Sequence, residues 1–382
     1  MIIEQDISEI AVGTYVVDIV QQRGEYHLAS SDWVRNDAVI NKLKSKGIKR
    51  LLVDTSKFKQ TSFQDEIIQA QAIVNESKVV LKKLFDNAKN GILIDLAPVK
   101  DITDQSIEVI FKNPDALACV INIRQKDEYL LEHSIAVSIL ITIFALHMSI
   151  DKETVKALSI GAFLHDVGKT KIPDEILNKQ GKLTEEEFQL IKGHVNYSID
   201  MIQDTPGISD LSLEVVALHH EKLNGHGYPL GESDKRISVY GRMVAICDIF
   251  DALTANRCYK NSYHQVKAFR ILRRLSKENH LDPILVDSFI QCMGVYPVGS
   301  LVELNNNRLA IVESRNKEEP TKPKVKTFYS LNQKSFEMSQ EVNLSTVKGV
   351  QIVKCIRVDD FDINLRQIID FLANENNTIS GN

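Results

Sequence analysis

The chain has 382 residues, of which 25% are charged and 43% are hydrophobic, and it carries a formal net charge of -5. This length exceeds what one hydrophobic core usually supports, so we expect two or three domains, and the composition excludes a disordered or fibrous protein. The weak acidity argues against a protein that coats duplex nucleic acid.

Cysteine usage and the N-terminal residues indicate a cytoplasmic protein. The five cysteines are scattered without a CxxC pair, which is typical of reduced thiols and argues against a sulfur-ligated zinc site. The first ten residues, MIIEQDISEI, are acidic where a signal peptide requires a basic flank and an apolar run. We therefore expect cytoplasmic localisation.

Residues 1–62 predict a small α/β module. The segment YVVDIV is typical of a strand, and DAVINKLKSKGIKRLLVDT predicts a helix that ends at Gly47 before a second strand, IKRLLVD. Nothing in this segment predicts a phosphate-binding loop or a haem ligand pair. A regulatory role is inferred from its position alone.

The next segment predicts a long helix. From Phe63 to Asn90 apolar residues recur at helical spacing without proline, and Gly91 follows as a stop signal. We assign residues 63–120 to connecting helices.

Residues 121–295 predict a mainly α-helical domain. The segment Ser134–Ile150 lacks Asp, Glu, Lys and Arg, but it is shorter than the roughly 20 apolar residues of a membrane span, so it favours a buried helix. No membrane span is expected. Thr184 and Glu187 have the spacing of a capping box, which predicts a single helix with one apolar face formed by Phe188, Ile191, Val195, Ile199 and Ile202.

Residues 296–382 predict a β-rich module. The segment VGSLVELNNNRLAIVES is typical of two strands joined by an Asn-rich turn, and further strands are expected within EEPTKPKVKTFYS and VQIVKCIRV. The predicted fold is mainly α, a helical bundle preceded by a small α/β module and followed by a β-rich module.

Seven of the ten histidines lie between His133 and His226, interleaved with acidic residues. A lone histidine is more often a hydrogen-bonded core residue than a ligand, and a lone aspartate often caps a helix or forms an ion pair. Imidazole and carboxylate together, without thiolate, form the ligand set of Mn, Fe, Ni or catalytic Zn. A carboxylate shared between two such cations is typical of sites that hydrolyse phosphate esters. The candidate ligands, in chain order, are His133, His165, Asp166, His194, His219, His220 and Asp248.

Three runs in the same region resemble the HD-GYP family of metal-dependent cyclic dinucleotide phosphodiesterases. They are LHDVGKTKIPDEILNKQGKLTEEEFQLIKGHV, HHEKLNGHGYP and ICDIFDALTANRCYK. The resemblance covers residues 127–274 in order, and its motifs are long. It implies that residues 121–295 form an HD-type helical bundle with catalytic activity. The N-terminal segment is similar to an uncharacterised domain often found ahead of this one.

The resemblance also implies two divalent cations, with Fe or Mn expected and Ni, Mg or Zn as alternatives. A third cation is not expected, because Tyr129 stands where some family members have a glutamate four residues before the first histidine. Asp166 would bridge the two cations. The first would also be held by His133, His165 and Asp248, and the second by His194, His219 and His220.

Further roles follow from the same resemblance. Lys169 matches a family lysine that polarises the phosphate or assists proton transfer, so Asp166 and Lys169 are the expected catalytic residues. Arg257 and Lys260 match residues that contact substrate phosphate.

The loop after the histidine pair is expected to shape the substrate pocket. Gly227 and Pro229 favour a non-helical turn, and Tyr228 offers a ring and a hydroxyl at the pocket rim. Asn224 and Cys258 depart from the aspartate and proline that are usual in the family, and neither position is a predicted ligand.

The implied function is hydrolysis of cyclic di-GMP or 3′,3′-cyclic GMP-AMP to a linear dinucleotide by a hydroxide that bridges the two cations. Two alternatives stay open: another nucleotide as the substrate of the same site, or an inactive protein that binds a cyclic dinucleotide and signals. The expected partners are a cyclic dinucleotide substrate and, through the N-terminal module, a second copy of the chain or a signalling protein. No binding of duplex nucleic acid is expected.

Overall fold

The computed structural model describes residues 2–11, 13–23, 31–34, 37–55, 63–122, 129–255, 263–316 and 318–356, together with Phe361 and Ile368. The chain divides into two compact units, Met1–Glu66 and Ile67–Asn382.

The first unit contains an antiparallel sheet with the strand order β1-β4-β2-β3 and one helix. Val16, Leu51 and Val53 of the sheet are buried with Leu43 of the helix. The predicted helix and two strands are confirmed. Strand β1 was not predicted, because its only apolar residues are at its start and exposed, and pairing with β4 defines it. The elements are β1 (Ile2–Asp6), β2 (Tyr15–Gln22), β3 (Asp32–Trp33), α1 (Asp37–Ser45) and β4 (Ile48–Asp54).

The second unit is built mainly of helices, which confirms the predicted mainly α fold. Helix α5 lies at its centre and packs against α3, α4, α6, α11 and α13. The helices are α2 (Phe63–Lys89), α3 (Ala97–Lys112), α4 (Pro114–Asn122), α5 (Tyr129–His147), α6 (Lys152–Leu164), α7 (Asp174–Leu177), α8 (Glu185–Lys192), α9 (His194–Ile202), α10 (Asp210–Leu218), α11 (Val239–Thr254), α12 (Gln265–Lys277) and α13 (Pro283–Met293).

Helix α5 is a core helix. Among the described residues, it contains one stretch, Leu130–His147, that is long and apolar enough to cross a membrane, and 78% of that stretch is buried inside the protein. Phe144 and Leu140 are almost completely buried. The burial confirms the prediction for this segment.

The prediction of one continuous helix after Thr184 is wrong. The capping box is present, because the Thr184 hydroxyl accepts a hydrogen bond from the Glu187 amide and the Glu187 carboxylate accepts one from the Thr184 amide. The helix is interrupted at Gly193, which separates α8 from α9. The His194 ring donates to the Ile191 carbonyl and so competes for an acceptor that a continuous helix uses four residues later. Val195 and Ile202 are buried, whereas Phe188 is exposed.

The second unit ends in an antiparallel five-stranded sheet with the order β8-β7-β6-β5-β9. The four predicted strands are confirmed, and the edge strand β8 was missed because its polar sequence, SFEMSQEVN, has only half-buried and exposed residues. The side-chain amide of Asn122 on α4 donates a hydrogen bond to the main-chain carbonyl of Val298 at 2.8 Å. Val298 lies just before β5, so this bond connects the sheet to the helices. The strands are β5 (Leu301–Leu304), β6 (Arg308–Ser314), β7 (Lys324–Ser330), β8 (Ser335–Asn343) and β9 (Ile352–Cys355).

Candidate metal centre

The structure brings all seven predicted metal ligands together inside the helical bundle. Most of them lie at helix ends, and all except His220 are buried. His133 is on α5, His165 and Asp166 follow α6, His194 begins α9, His219 and His220 follow α10, and Asp248 is on α11.

The donor atoms form two groups with Asp166 between them. His133, His165 and Asp166 offer atoms within 4.8 Å of one another, and so do His194, His219 and His220. Asp166 Oδ2 is 3.3 Å from His165 Nε2, and Asp166 Oδ1 is 3.3 Å from His194 Nε2. The two oxygens of Asp166 therefore face different groups.

Asp248 also contacts both groups. Its Oδ1 is 2.9 Å from His133 Nε2, and its Oδ2 is 3.4 Å from His220 Nδ1. The second contact goes beyond the predicted set, which placed Asp248 only with His133, His165 and Asp166.

Three histidines are oriented by hydrogen bonds to the main chain. In each, Nδ1 donates to a carbonyl three residues earlier, at 2.6–2.7 Å. This bond places the proton on Nδ1 and leaves the Nε2 lone pair directed into the centre, which is the form that binds a metal. The pairs are His165 with Ala162, His194 with Ile191, and His219 with Val216.

Burial keeps the histidines of the second group neutral. Desolvation, with the charge of Lys169, lowers the pKa of His194 to about 4. Desolvation also lowers the pKa of His220 to about 3, although Asp248 opposes the shift. Desolvation also holds the pKa of His219 well below its ordinary value, and the charge of His220 adds to this effect. All three imidazoles are therefore available as ligands at neutral pH.

The first group, formed by His133, His165 and Asp166, is more strongly charged than the second. Burial would raise the pKa of Asp166, but His165 and Lys169 outweigh it and hold that pKa well below its usual value. Burial would likewise lower the pKa of His133, but the hydrogen bonds that its ring donates to the carboxylates of Asp248 and Asp251 raise it to about 9. A cation that binds His133 has to displace its proton.

The donor set fits divalent cations. Asp166 Oδ1 is buried and has no hydrogen-bond partner among the described residues. His194 Nε2 and His219 Nε2 are 3.3 Å apart, and because both rings are protonated on Nδ1, their lone pairs face each other. Such lone pairs repel unless a cation lies between them, and this spacing suits two nitrogens about 2.0–2.1 Å from one cation.

Asp251 belongs to the centre but was not predicted from the sequence. Its carboxylate is buried, and Oδ2 accepts a hydrogen bond from His133 Nδ1 at 2.7 Å. It therefore orients the His133 ring, as main-chain carbonyls orient the rings of His165, His194 and His219. The available signal was its position three residues after Asp248, on the same side of α11.

Replacement of Asp251 by asparagine is expected to weaken metal binding about 10- to 100-fold, because the amide loses the charge that orients and polarises His133. Titration of metal-depleted protein with Mn²⁺ measures this effect. The matched control is Asp287→Asn, which alters an exposed carboxylate paired with Arg273 and should leave the affinity unchanged. Equal affinity in the Asp251 variant and the unmodified protein would show that Asp251 does not position His133.

The loop after the histidine pair folds back on the segment that carries it. A Cβ on Gly227 would lie 2.4 Å from Glu221 Cα, so only glycine permits this approach. The buried Glu221 carboxylate accepts hydrogen bonds from the Leu230 and Gly231 amides at 2.8 and 3.0 Å. This role of Glu221 was not predicted from the sequence.

Tyr228 lies at the edge of the centre. Its amide donates to the His220 carbonyl at 3.2 Å, and its ring centroid is 4.6 Å from that of His220. The peptide bond to Pro229 is cis. The loop thus places Tyr228 directly beside a candidate ligand.

Three positively charged side chains were predicted to contact the substrate phosphate, and of these only Lys169 lies in the described part of the chain. Its Nζ lies 2.5 Å from Asp166 Oδ2, and its side chain is partly exposed. Arg257 and Lys260, predicted to contact phosphate, lie outside the described residues.

Ser198 fixes the turn between Asp166 and Lys169 and was also missed by sequence reasoning. Its hydroxyl accepts a hydrogen bond from the Gly168 amide and donates one to the His165 carbonyl, both at 2.8 Å. It therefore holds the turn and the end of α6 in place.

Comparison with known families gives two adjacent matches. The HD domain family matches residues 119–285, and the KOW domain associated with HD domain matches residues 301–364. The first range contains every candidate ligand.

Several curated cyclic dinucleotide phosphodiesterases are similar to this chain. A cyclic di-GMP phosphodiesterase of Pseudomonas aeruginosa is 34% identical over 286 residues, which cover 75% of this chain and 68% of that protein. A cyclic di-GMP phosphodiesterase of Thermotoga maritima is 29% identical over 66% of this chain and 74% of its own length. A 3′3′-cGAMP-specific phosphodiesterase of Vibrio cholerae is 38% identical over 34% of this chain and 24% of its own length.

A solved structure shares the fold. The HDG"Y"P protein Bd1817 from Bdellovibrio bacteriovorus superposes with a TM-score of 0.51 at 18% identity, and the match covers 76% of this chain and 98% of that one.

Proposed function

Because this chain belongs to the HD-GYP family of HD-domain proteins, we propose that it is a metal-dependent phosphodiesterase that hydrolyses cyclic di-GMP or 3′,3′-cyclic GMP-AMP to a linear dinucleotide. The activities named for its relatives support this substrate class. The observation that carries the proposal is the position of Asp166, whose two oxygens face two separate groups of imidazoles.

The site would hold two divalent cations, Fe or Mn, with Ni, Mg or Zn as alternatives. When bound, such a pair activates water and neutralises charge that develops on a phosphate ester. Asp166 would contact both cations. His133, His165 and Asp248 would complete one site, and His194, His219 and His220 the other.

Lys169 would bind the phosphate. Its ammonium group lies at the Asp166 carboxylate and its side chain is partly exposed, so its N–H donors can contact a non-bridging phosphate oxygen. Arg257 and Lys260 are proposed to add charge to the same phosphate, as they do in the family motif.

Tyr228 would act as a neutral hydrogen-bond donor. Burial, reinforced by the charges of Asp248 and Asp166, raises the pKa of its hydroxyl, so the phenol keeps its proton. Gly227 and Pro229 would position this residue, and the loop would cover one side of the bound dinucleotide and exclude water.

Replacement of Lys169 by methionine is expected to lower kcat/KM for a cyclic dinucleotide about 10²- to 10³-fold, the usual effect of removing one preorganised donor to a developing charge. Steady-state kinetics with measured metal content test this. Lys171→Met serves as the control, because Lys171 is exposed in the same turn and should behave like the unmodified protein. A Lys169 variant with unchanged kinetics would rule out the proposed contact.

The proposed activity is tested by incubating protein loaded with Mn²⁺ or Fe²⁺ with cyclic di-GMP, 3′,3′-cyclic GMP-AMP and a set of mononucleotides. We expect linear dinucleotides as products. Turnover of mononucleotides alone would favour a phosphohydrolase of another nucleotide. Tight binding of a cyclic dinucleotide without product would favour an inactive signalling protein.

We also propose the domain boundaries that the sequence patterns and the family resemblance predict. Residues 1–62 would form a regulatory module that binds a second copy or a signalling protein, and residues 63–120 the connecting helices. Residues 121–295 would form the catalytic domain and residues 296–382 the β-rich module. The scattered cysteines, which lack a CxxC pair, favour action in the cytoplasm.

A further inference from the structure

A run of aromatic rings leads from the metal centre to the protein surface. The Tyr228 ring lies 4.6 Å from the His220 ring, and the Phe188 ring lies 6.5 Å from that of Tyr228. Phe188 on α8 is 39% exposed. An apolar surface is therefore available two rings away from the candidate ligands.

A cation accompanies this ring. Lys192 lies one turn after Phe188 on α8, and its Nζ is 4.6 Å from the Phe188 centroid and 5.9 Å from the Tyr228 centroid. Within the described ranges Lys192 has no carboxylate partner. Its charge is therefore available to an anionic ligand.

Helix α8 is held firmly at the end from which Phe188 projects. The Glu187 carboxylate accepts a hydrogen bond from the Thr184 amide and pairs with the Lys179 ammonium at 2.6 Å. These contacts immediately precede Phe188. The helix that carries the ring is therefore formed before any ligand binds, which lowers the entropy cost of using the ring as a contact surface.

From this arrangement we infer that Phe188 is a platform on which one nucleobase of the substrate stacks, with Lys192 supplying positive charge beside it. The inference rests on the proposed function, because it assumes a dinucleotide whose phosphate lies at the metal centre. Stacking on an aromatic ring tolerates any base, since every base presents a π face. A surface pair of Phe188 and Lys192 without ligand contact is the alternative.

The test uses a cyclic dinucleotide that carries one 2-aminopurine base, whose fluorescence is quenched when the base stacks. Rapid mixing with metal-loaded protein measures binding before turnover. We expect quenching with the unmodified protein. We expect Phe188→Ala to bind roughly 5- to 150-fold more weakly, the usual effect of removing one stacking ring, with quenching reduced. Phe188→Trp should restore both.

The matched control is Leu190→Ala, because Leu190 is a 49% exposed apolar residue on the same helix. It should bind and quench like the unmodified protein. Metal content and thermal unfolding should be unchanged in all variants, which separates stacking from a structural role.

The outcomes separate this inference from the proposed function. Equal binding and quenching in Phe188→Ala and the unmodified protein would overturn the platform alone. Quenching by the unmodified protein that Phe188→Ala loses, in the absence of hydrolysis, would overturn the proposed function and retain the platform. If the unmodified protein neither binds nor hydrolyses the probe, both are overturned.

Discussion

Replacement of Asp166 by asparagine is expected to abolish cyclic dinucleotide hydrolysis, with a loss of roughly 10⁴-fold or more, and to release bound metal. Asp166 is the residue whose two oxygens face both groups of imidazoles, and an amide offers one neutral oxygen in place of two charged ones. The proposed pair of cations would supply several kcal/mol of charge stabilisation, and each 1.36 kcal/mol corresponds to a tenfold change in rate. Product chromatography and elemental analysis of the same sample measure both effects.

Asp200→Asn is the control for this variant. Asp200 lies on α9 close to the centre in sequence, but it is exposed and should affect neither metal nor rate. Circular dichroism establishes that the Asp166 variant is folded. A folded Asp166→Asn protein that keeps two metal ions and full activity would show that this carboxylate is not the bridge.

Replacement of Gly168 by alanine is expected to destabilise the protein by about 3 kcal/mol, at the upper end of the cost of overpacking a core. A Cβ at this position would lie 2.1 Å from the His194 carbonyl oxygen and 2.4 Å from the Ser198 amide nitrogen. Both are backbone atoms, so the turn after Asp166 or the start of α9 has to move. Urea unfolding measures the loss, and reduced metal content should accompany it.

Gly193→Ala is the matched control, because Gly193 has a helical φ of −59° and its nearest neighbour to a new Cβ is 3.1 Å away. Its effect should remain below about 1 kcal/mol. If Gly168→Ala unfolds at the same urea concentration as the control and binds metal normally, the close packing of the turn against α9 is not needed to form the site.

The sequence was most informative where a local residue pattern determines the local structure. The capping box at Thr184 is present as predicted, and the long charge-free segment after Glu132 forms a buried helix. The seven candidate ligands also lie together as predicted, and most of them lie at helix ends that converge in the bundle.

Residues that act through tertiary contacts were not predicted. Glu221 and Ser198 have no distinctive spacing, and the position of Asp251 three residues after Asp248 does not reveal its partner, so all three roles depend on contacts formed only by folding. The break between α8 and α9 was missed for a related reason. Apolar periodicity continues across Gly193, but the His194 side chain competes for the carbonyl that would continue the helix.

Anomalous diffraction from crystals of Mn²⁺-loaded protein, recorded at the manganese edge, tests the proposed centre most directly. We expect two peaks per chain, one bonded to His133 and His165 and the other to His194 and His219, with Asp166 bonded to both. Peaks located elsewhere, or one peak that Asp166 does not contact, would contradict the two-cation centre and the hydrolytic function proposed from it.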